Sequence, residues 1–92
     1  MKPIILIIDD DTSLRRVLEY NLQEAGYAVA TAASSEEGLS LFEEVSPALV
    51  ITDMKMPGMD GMQVLKAVKE RSAETLVIMI TAFAGEFGGH DI

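Results

Sequence analysis

The chain has no cysteine, one histidine, only seven basic residues against fifteen acidic ones, and no apolar run near the ~20 residues that a membrane-spanning helix needs. Each absence excludes something. Without cysteine there is no disulfide and no thiolate metal site, which is compatible with a reducing compartment. The lone His90 has no second histidine to join it, so His90-Asp91 makes a poor metal site. A net charge of −8 leaves no basic face for phosphates of nucleic acid and points instead to a cation or a basic protein partner. Membrane insertion is not expected. Met1-Lys2-Pro3 passes straight into a five-residue apolar run followed by acids, too short for a signal-peptide core and without a small-residue cleavage site. The expected location is the cytoplasm. At 92 residues, 49% hydrophobic and 24% charged, the chain is long enough for one small globular domain with a modest core.

What is present is an alternation of strand-like and helix-like segments. Ile4 to Ile8 is apolar at every position, as in a parallel strand covered on both faces. A helix follows from Asp11 or Thr12, with Leu14, Val17, Leu18, Leu22 and Ala25 on one stripe and Gly26 ending it. Tyr27 to Ala32 reads as a second strand, its alanines suiting close packing or an edge. Ser34 with Glu37 forms a capping-box pattern for a second helix that turns Leu39, Phe42 and Val45 inward and ends before Pro47. Ala48 to Thr52 is a third strand, and Met54 to Gly61 a loop by its Pro57-Gly58 pair. Asp60 caps a third helix with Met62, Leu65 and Val68 inward and Val64 beside them. Leu76 to Ile80 is the fourth strand. The expected class is α/β, a doubly wound parallel sheet in the order 2-1-3-4, with right-handed crossovers.

Such sheets bind ligands at the carboxyl ends of their strands where the winding reverses, which here lies between strands one and three. Strand one ends in Asp9-Asp10-Asp11 and strand three in Asp53. Carboxylates brought that close repel one another and drift toward protonation unless a cation neutralises them. An oxygen-only set suits a hard ion such as Mg²⁺. Asp11 is read as a helix cap and not as a ligand. Met54, Met56, Met59 and Met62 are read as loop and core packing, since thioethers are poor ligands for Mg²⁺.

Asp9-Asp10, Asp53, the loop from Asp53 to Gly61 and Thr81-Ala82 after strand four together resemble a response-regulator receiver domain of bacterial two-component signalling. Thr52-Asp53-Met54-Lys55-Met56-Pro57 and Met79-Ile80-Thr81-Ala82-Phe83-Ala84 are similar in wording to receivers of nitrogen-regulatory, sigma-54-activating regulators. The resemblance implies a flavodoxin-like receiver fold. It implies that Asp53 is the phosphoacceptor for a sensor histidine kinase, and that Thr81 is a switch hydroxyl. It further implies that Asp9, Asp10, Asp53 and the backbone carbonyl of Lys55 hold Mg²⁺. Such a domain is a phosphoacceptor and not a turnover enzyme.

A receiver of this kind continues into a fifth strand, ending in a lysine, and a fifth helix. No lysine follows Lys69. The expectation is a partial receiver over 1–84 with an atypical, vector-derived tail over 85–92, impaired phosphotransfer, and a homo-oligomer formed through the uncovered surface. Two other readings stand beside it. One is an oligomeric interaction fragment without phosphotransfer. The other is a haloacid-dehalogenase-type phosphatase fragment, suggested by Asp9-Asp10-Asp11-Thr12 after a strand.

Overall fold

The computed structural model describes residues 2–80. Seven elements alternate: β1 (Ile4–Ile8), α1 (Thr12–Glu24), β2 (Ala28–Ala32), α2 (Ser35–Val45), β3 (Leu49–Asp53), α3 (Gly61–Arg71) and β4 (Leu76–Ile80). The four strands form one parallel sheet in the order β2-β1-β3-β4. This is the doubly wound arrangement expected from the sequence, with β1 and β3 adjacent at the centre. Thr81, Gly85 to Ile92 and His90 lie outside the described residues.

The apolar β1 run divides its side chains between two cores because successive residues of a strand point to opposite faces. Leu6 and Ile8 join Val50, Leu39, Phe42, Val64 and Val68 beneath α2 and α3. Ile5 and Ile7 join Ile51, with Leu18 and Leu22 of α1 packed against them. A strand buried on both faces has no room for polar alternation, which is why the run is unbroken.

Helix boundaries follow local chemistry. Asp11, rather than Thr12, caps α1, accepting a hydrogen bond from the Leu14 N–H at 3.1 Å. Asp60 and Gln63 form a full capping box at α3. At α2 the box is only half made. Ser34 accepts from the Glu37 N–H, but the Glu37 carboxylate accepts from the N–H of Ala33 and not from the cap itself. The α2 helix closes through Ser46 at φ 46, a left-handed conformation that lets the chain turn into the buried Pro47.

Two expected stripes differ from the observed ones. On α1, Leu18 and Leu22 pack inward, while Leu14, Val17 and Ala25 are exposed, because among the described residues nothing flanks that side of the helix. On α3 the buried line is Gly61, Val64 and Val68, with Met62 54% exposed and Leu65 half-buried. The close approach of Gly61 to β3 rotates α3 so that Val64 leads into the core. The third strand also runs one residue further than its apolar run, taking in Asp53 opposite Ile80. Leu76 and Ile78 of the edge strand β4 are 65% and 49% exposed.

Candidate functional site

The register of the sheet brings the acids together. Ile8 pairs with Thr52, so the residues that follow, Asp9 and Asp53, leave adjacent strand ends on the same edge. Asp9, Asp10 and Asp53 each offer a carboxylate oxygen, and these atoms lie within 4.8 Å of one another. Their surroundings differ. Asp9 is buried at 1% exposure, Asp53 is half-buried and Asp10 is exposed, which gives the cluster a dry floor and a wet rim.

Asp9 is held firmly. Its backbone N–H donates to the Ala32 carbonyl at 3.1 Å, continuing the β1–β2 ladder by one bond. Its Oδ1 accepts from the Asp11 N–H at 2.8 Å, and its backbone carbonyl accepts from Arg15 Nη1 at 2.7 Å. The second carboxylate oxygen, Oδ2, is buried with no hydrogen-bond partner. A buried carboxylate oxygen without a donor costs free energy that a positive charge would recover. Burial pushes the Asp9 carboxyl above its ordinary range. The Asp11 N–H opposes that shift, and the negative charges of Asp53, Asp10 and Asp11 add to it. The donor set is therefore all oxygen, made of three mutually repelling carboxylates and partly dehydrated. Those properties fit a hard divalent cation of the Mg²⁺ type better than a thiophilic or imidazole-seeking metal.

Asp53 is positioned by backbone geometry. Its Oδ1 accepts from the Lys55 N–H at 3.3 Å, and the next residue, Met54, donates its N–H to the Ile80 carbonyl at 2.8 Å. The Gly61 N–H donates to the Met54 carbonyl at 2.9 Å and closes the loop over residues 54–60. A Cβ at Gly61 would stand 2.6 Å from the Asp53 carbonyl oxygen, so only glycine admits the start of α3 this close to the strand end. Lys55 itself is exposed. Of the three loop methionines, Met56 is buried in the core, Met59 packs against it and Met54 is exposed, as is Met62 in the first turn of α3.

Of the residues named from sequence, Asp9, Asp10 and Asp53 converge, Lys55 engages Asp53 through its N–H, and Asp11 serves α1 as a cap. Thr81 lies outside the described residues. Three contributors were not legible. Arg15 is indistinguishable in sequence from a solvated helix residue, and only its 2.7 Å bond to the Asp9 carbonyl places it at the site. Gly61 reads as the last residue of the loop, and the sequence pattern assigns no role to Ser35, whose hydroxyl donates to the Met59 carbonyl at 2.6 Å. The signal for Gly61 was its position directly after a capping aspartate.

A family model described as response regulator receiver domain matches residues 5–89. The transcriptional regulatory protein AfsQ1 of Streptomyces coelicolor is 41% identical over 80 residues, covering 87% of this chain and 35% of that protein. The DNA-binding transcriptional regulator NtrC of Salmonella typhimurium is 39% identical over 79 residues, covering 86% of this chain and 17% of that protein. This chain thus spans about a third or less of those two relatives. Among solved structures, the response regulator TrrA of Thermotoga maritima in complex with Mg²⁺ and BeF superposes with a TM-score of 0.84 at 34% identity, covering 98% of this chain and 77% of that one. TrrA in complex with the histidine kinase ThkA gives a TM-score of 0.82 at 37% identity, covering 91% of this chain and 72% of that one.

Proposed function

This chain belongs to the response regulator receiver domain family of two-component systems, and on that premise we propose that Asp53 is its phosphoacceptor, served by a Mg²⁺ site at Asp9, Asp10 and Asp53. The observation that carries the reading is the buried, partnerless Oδ2 of Asp9 inside a cluster that also contains Asp53. A cap or a turn needs no such oxygen. The backbone carbonyl of Lys55 is the fourth ligand proposed, and Thr81 the hydroxyl that answers the change of charge.

Asp53 acts as a carboxylate nucleophile. As its oxygen forms a bond to phosphorus, the bond from phosphorus to the donor nitrogen of a kinase histidine breaks, and the imidazole keeps the electron pair. The Lys55 N–H holds the carboxylate plane through Oδ1 during the approach. Asp9, locked by the Asp11 N–H and by Arg15 on its carbonyl, fixes the floor of the site. Mg²⁺, when bound, supplies the positive charge that lets a phosphoryl group approach a cluster of carboxylates. The product carries about −2 in place of −1 at Asp53, enough to reorganise a neighbouring hydroxyl and loop. The domain works as a signalling module. Its partner is a sensor histidine kinase, a reading supported by the TrrA–ThkA complex. No described helix is long and apolar enough to cross a membrane.

Incubation with Mg²⁺ and a small-molecule acyl phosphate, followed by intact-mass measurement, tests this. A single phosphoryl adduct that disappears in Asp53→Ala and with chelator is expected. Adduct formation unchanged in Asp53→Ala overturns the assignment, and steady turnover dependent on Asp9 favours a phosphatase instead.

A further inference from the structure

The hydroxyl of Ser35 has no local task. Ser34, its neighbour, already caps α2 by accepting from the Glu37 N–H at 3.2 Å. Ser35 is nonetheless buried at 1% exposure, where a hydroxyl without a partner would be costly. Its single proton goes across to another element. Ser35 Oγ donates to the Met59 carbonyl at 2.6 Å, with the Met56 sulfur 4.0 Å away. Both methionines belong to the loop between Asp53 and Gly61. The bond therefore ties the first turn of α2 to the segment that carries Lys55.

The anchor end of this tie cannot easily give way. A Cβ at Gly38, one turn along α2, would lie 2.4 Å from the Ile8 side chain, so the helix backbone sits flush on the last residue of β1. Asp9 is the next residue. The α2 start is thus seated against the strand that presents the buried acid, and Ser35 reaches from it to the loop following the other strand. The loop's own ends are fixed by the Gly61 N–H on the Met54 carbonyl and by the Asp60–Gln63 capping box. Ser35 holds Met59, just before the Asp60 cap, with the sulfur of Met56 from the loop's middle alongside.

We propose that Ser35 is a positioning residue that sets the divalent-cation affinity of the acidic cluster by clamping the loop over residues 54–60 to α2. The inference rests on the metal reading above. Removing the clamp leaves every carboxylate in place but lets the loop carbonyls and the Lys55 N–H wander relative to Asp9. A hydrogen bond made directly to a metal ligand is worth roughly 10–100-fold in affinity, and Ser35 acts one step further out, on the loop, so the low end of that range, roughly tenfold, is expected.

The test is calorimetric titration of Mg²⁺ into the wild-type chain, Ser35→Ala and Ser35→Thr, with urea denaturation of each in chelator. Ser35→Ala should bind about tenfold more weakly while folded, and Ser35→Thr, which keeps the donor, should recover most of that loss. Equal affinity of wild type and Ser35→Ala overturns the inference and leaves the metal reading standing, as does a loss that Ser35→Thr fails to reverse. No saturable Mg²⁺ binding by the wild type overturns both. Hydrogen exchange on the wild type alone supplies a check that needs no variant. Mg²⁺ should slow exchange jointly over 54–60 and 33–38, and protection confined to the loop refutes the clamp.

Discussion

Asp9→Asn separates what the acidic cluster costs the fold from what it contributes to binding. Asp9 is buried, lacks a partner for Oδ2 and has two further carboxylate oxygens within 4.8 Å. At that separation each like-charge pair costs roughly 1 kcal/mol in a water-like dielectric and roughly 3 kcal/mol at an effective value of 20. Neither Asp10, exposed, nor Asp53, half-buried, is shut off from water, so the lower figure governs both pairs, and a total near 2 kcal/mol is expected for the charge on Asp9. Asparagine keeps an oxygen for the Asp11 N–H and removes that charge. In chelator at neutral pH, Asp9→Asn should therefore be more stable than wild type by about 2 kcal/mol. The assay is urea denaturation followed by far-UV circular dichroism, since the chain has no tryptophan. Mg²⁺ at ten times its dissociation constant should add about 1.4 kcal/mol to the wild type and nothing to the variant. A variant less stable than wild type in chelator would refute the reasoning, because it would mean that the carboxylate is satisfied as it stands.

The same group sets a pH dependence. The folded-state value for Asp9 is raised above its ordinary 3.8, so the folded protein binds the proton more tightly than the unfolded chain does. Its contribution to stability is present below that ordinary value and is lost as pH rises through the raised folded value. Urea midpoints in chelator should carry this downward contribution with rising pH in wild type, and Asp9→Asn should lack it. Gly61→Ala places a Cβ 2.6 Å from the Asp53 carbonyl and 2.8 Å from the Met54 Cα, which only backbone movement relieves. A stability loss of about 1–3 kcal/mol and weakened Mg²⁺ binding are expected by denaturation and titration. Ser46→Gly releases a left-handed serine at φ 46 and should stabilise by about 0.5–1 kcal/mol, measured by thermal melting. Asp60→Ala removes half of a capping box and should cost about 1 kcal/mol in the same assay.

Sequence alone was most informative where burial on both faces or a cap imposes a residue type. The unbroken Ile4–Ile8 run, the acids closing β1 and β3, and Asp60 at α3 are of that kind, and they yield the strand order and the meeting of Asp9, Asp10 and Asp53. It was least informative where a helix has more apolar positions than it buries. Met62 and Val64 are equally good stripe members on paper, and the choice between them depends on how closely Gly61 approaches β3, a tertiary fact. Arg15 and Ser35 act through backbone carbonyls, of Asp9 and Met59, which every residue possesses. A partner common to all positions leaves no mark in sequence spacing.

One divalent ion shared by Asp9, Asp10 and Asp53 is the central claim, and a Mg²⁺ titration followed by amide NMR shifts tests it most directly. A single saturating isotherm is expected, with shifts concentrated at residues 9–11 and 53–55 and abolished in Asp53→Ala. Shifts scattered over the acidic surface without saturation, or a titration that Asp53→Ala leaves unchanged, would contradict it.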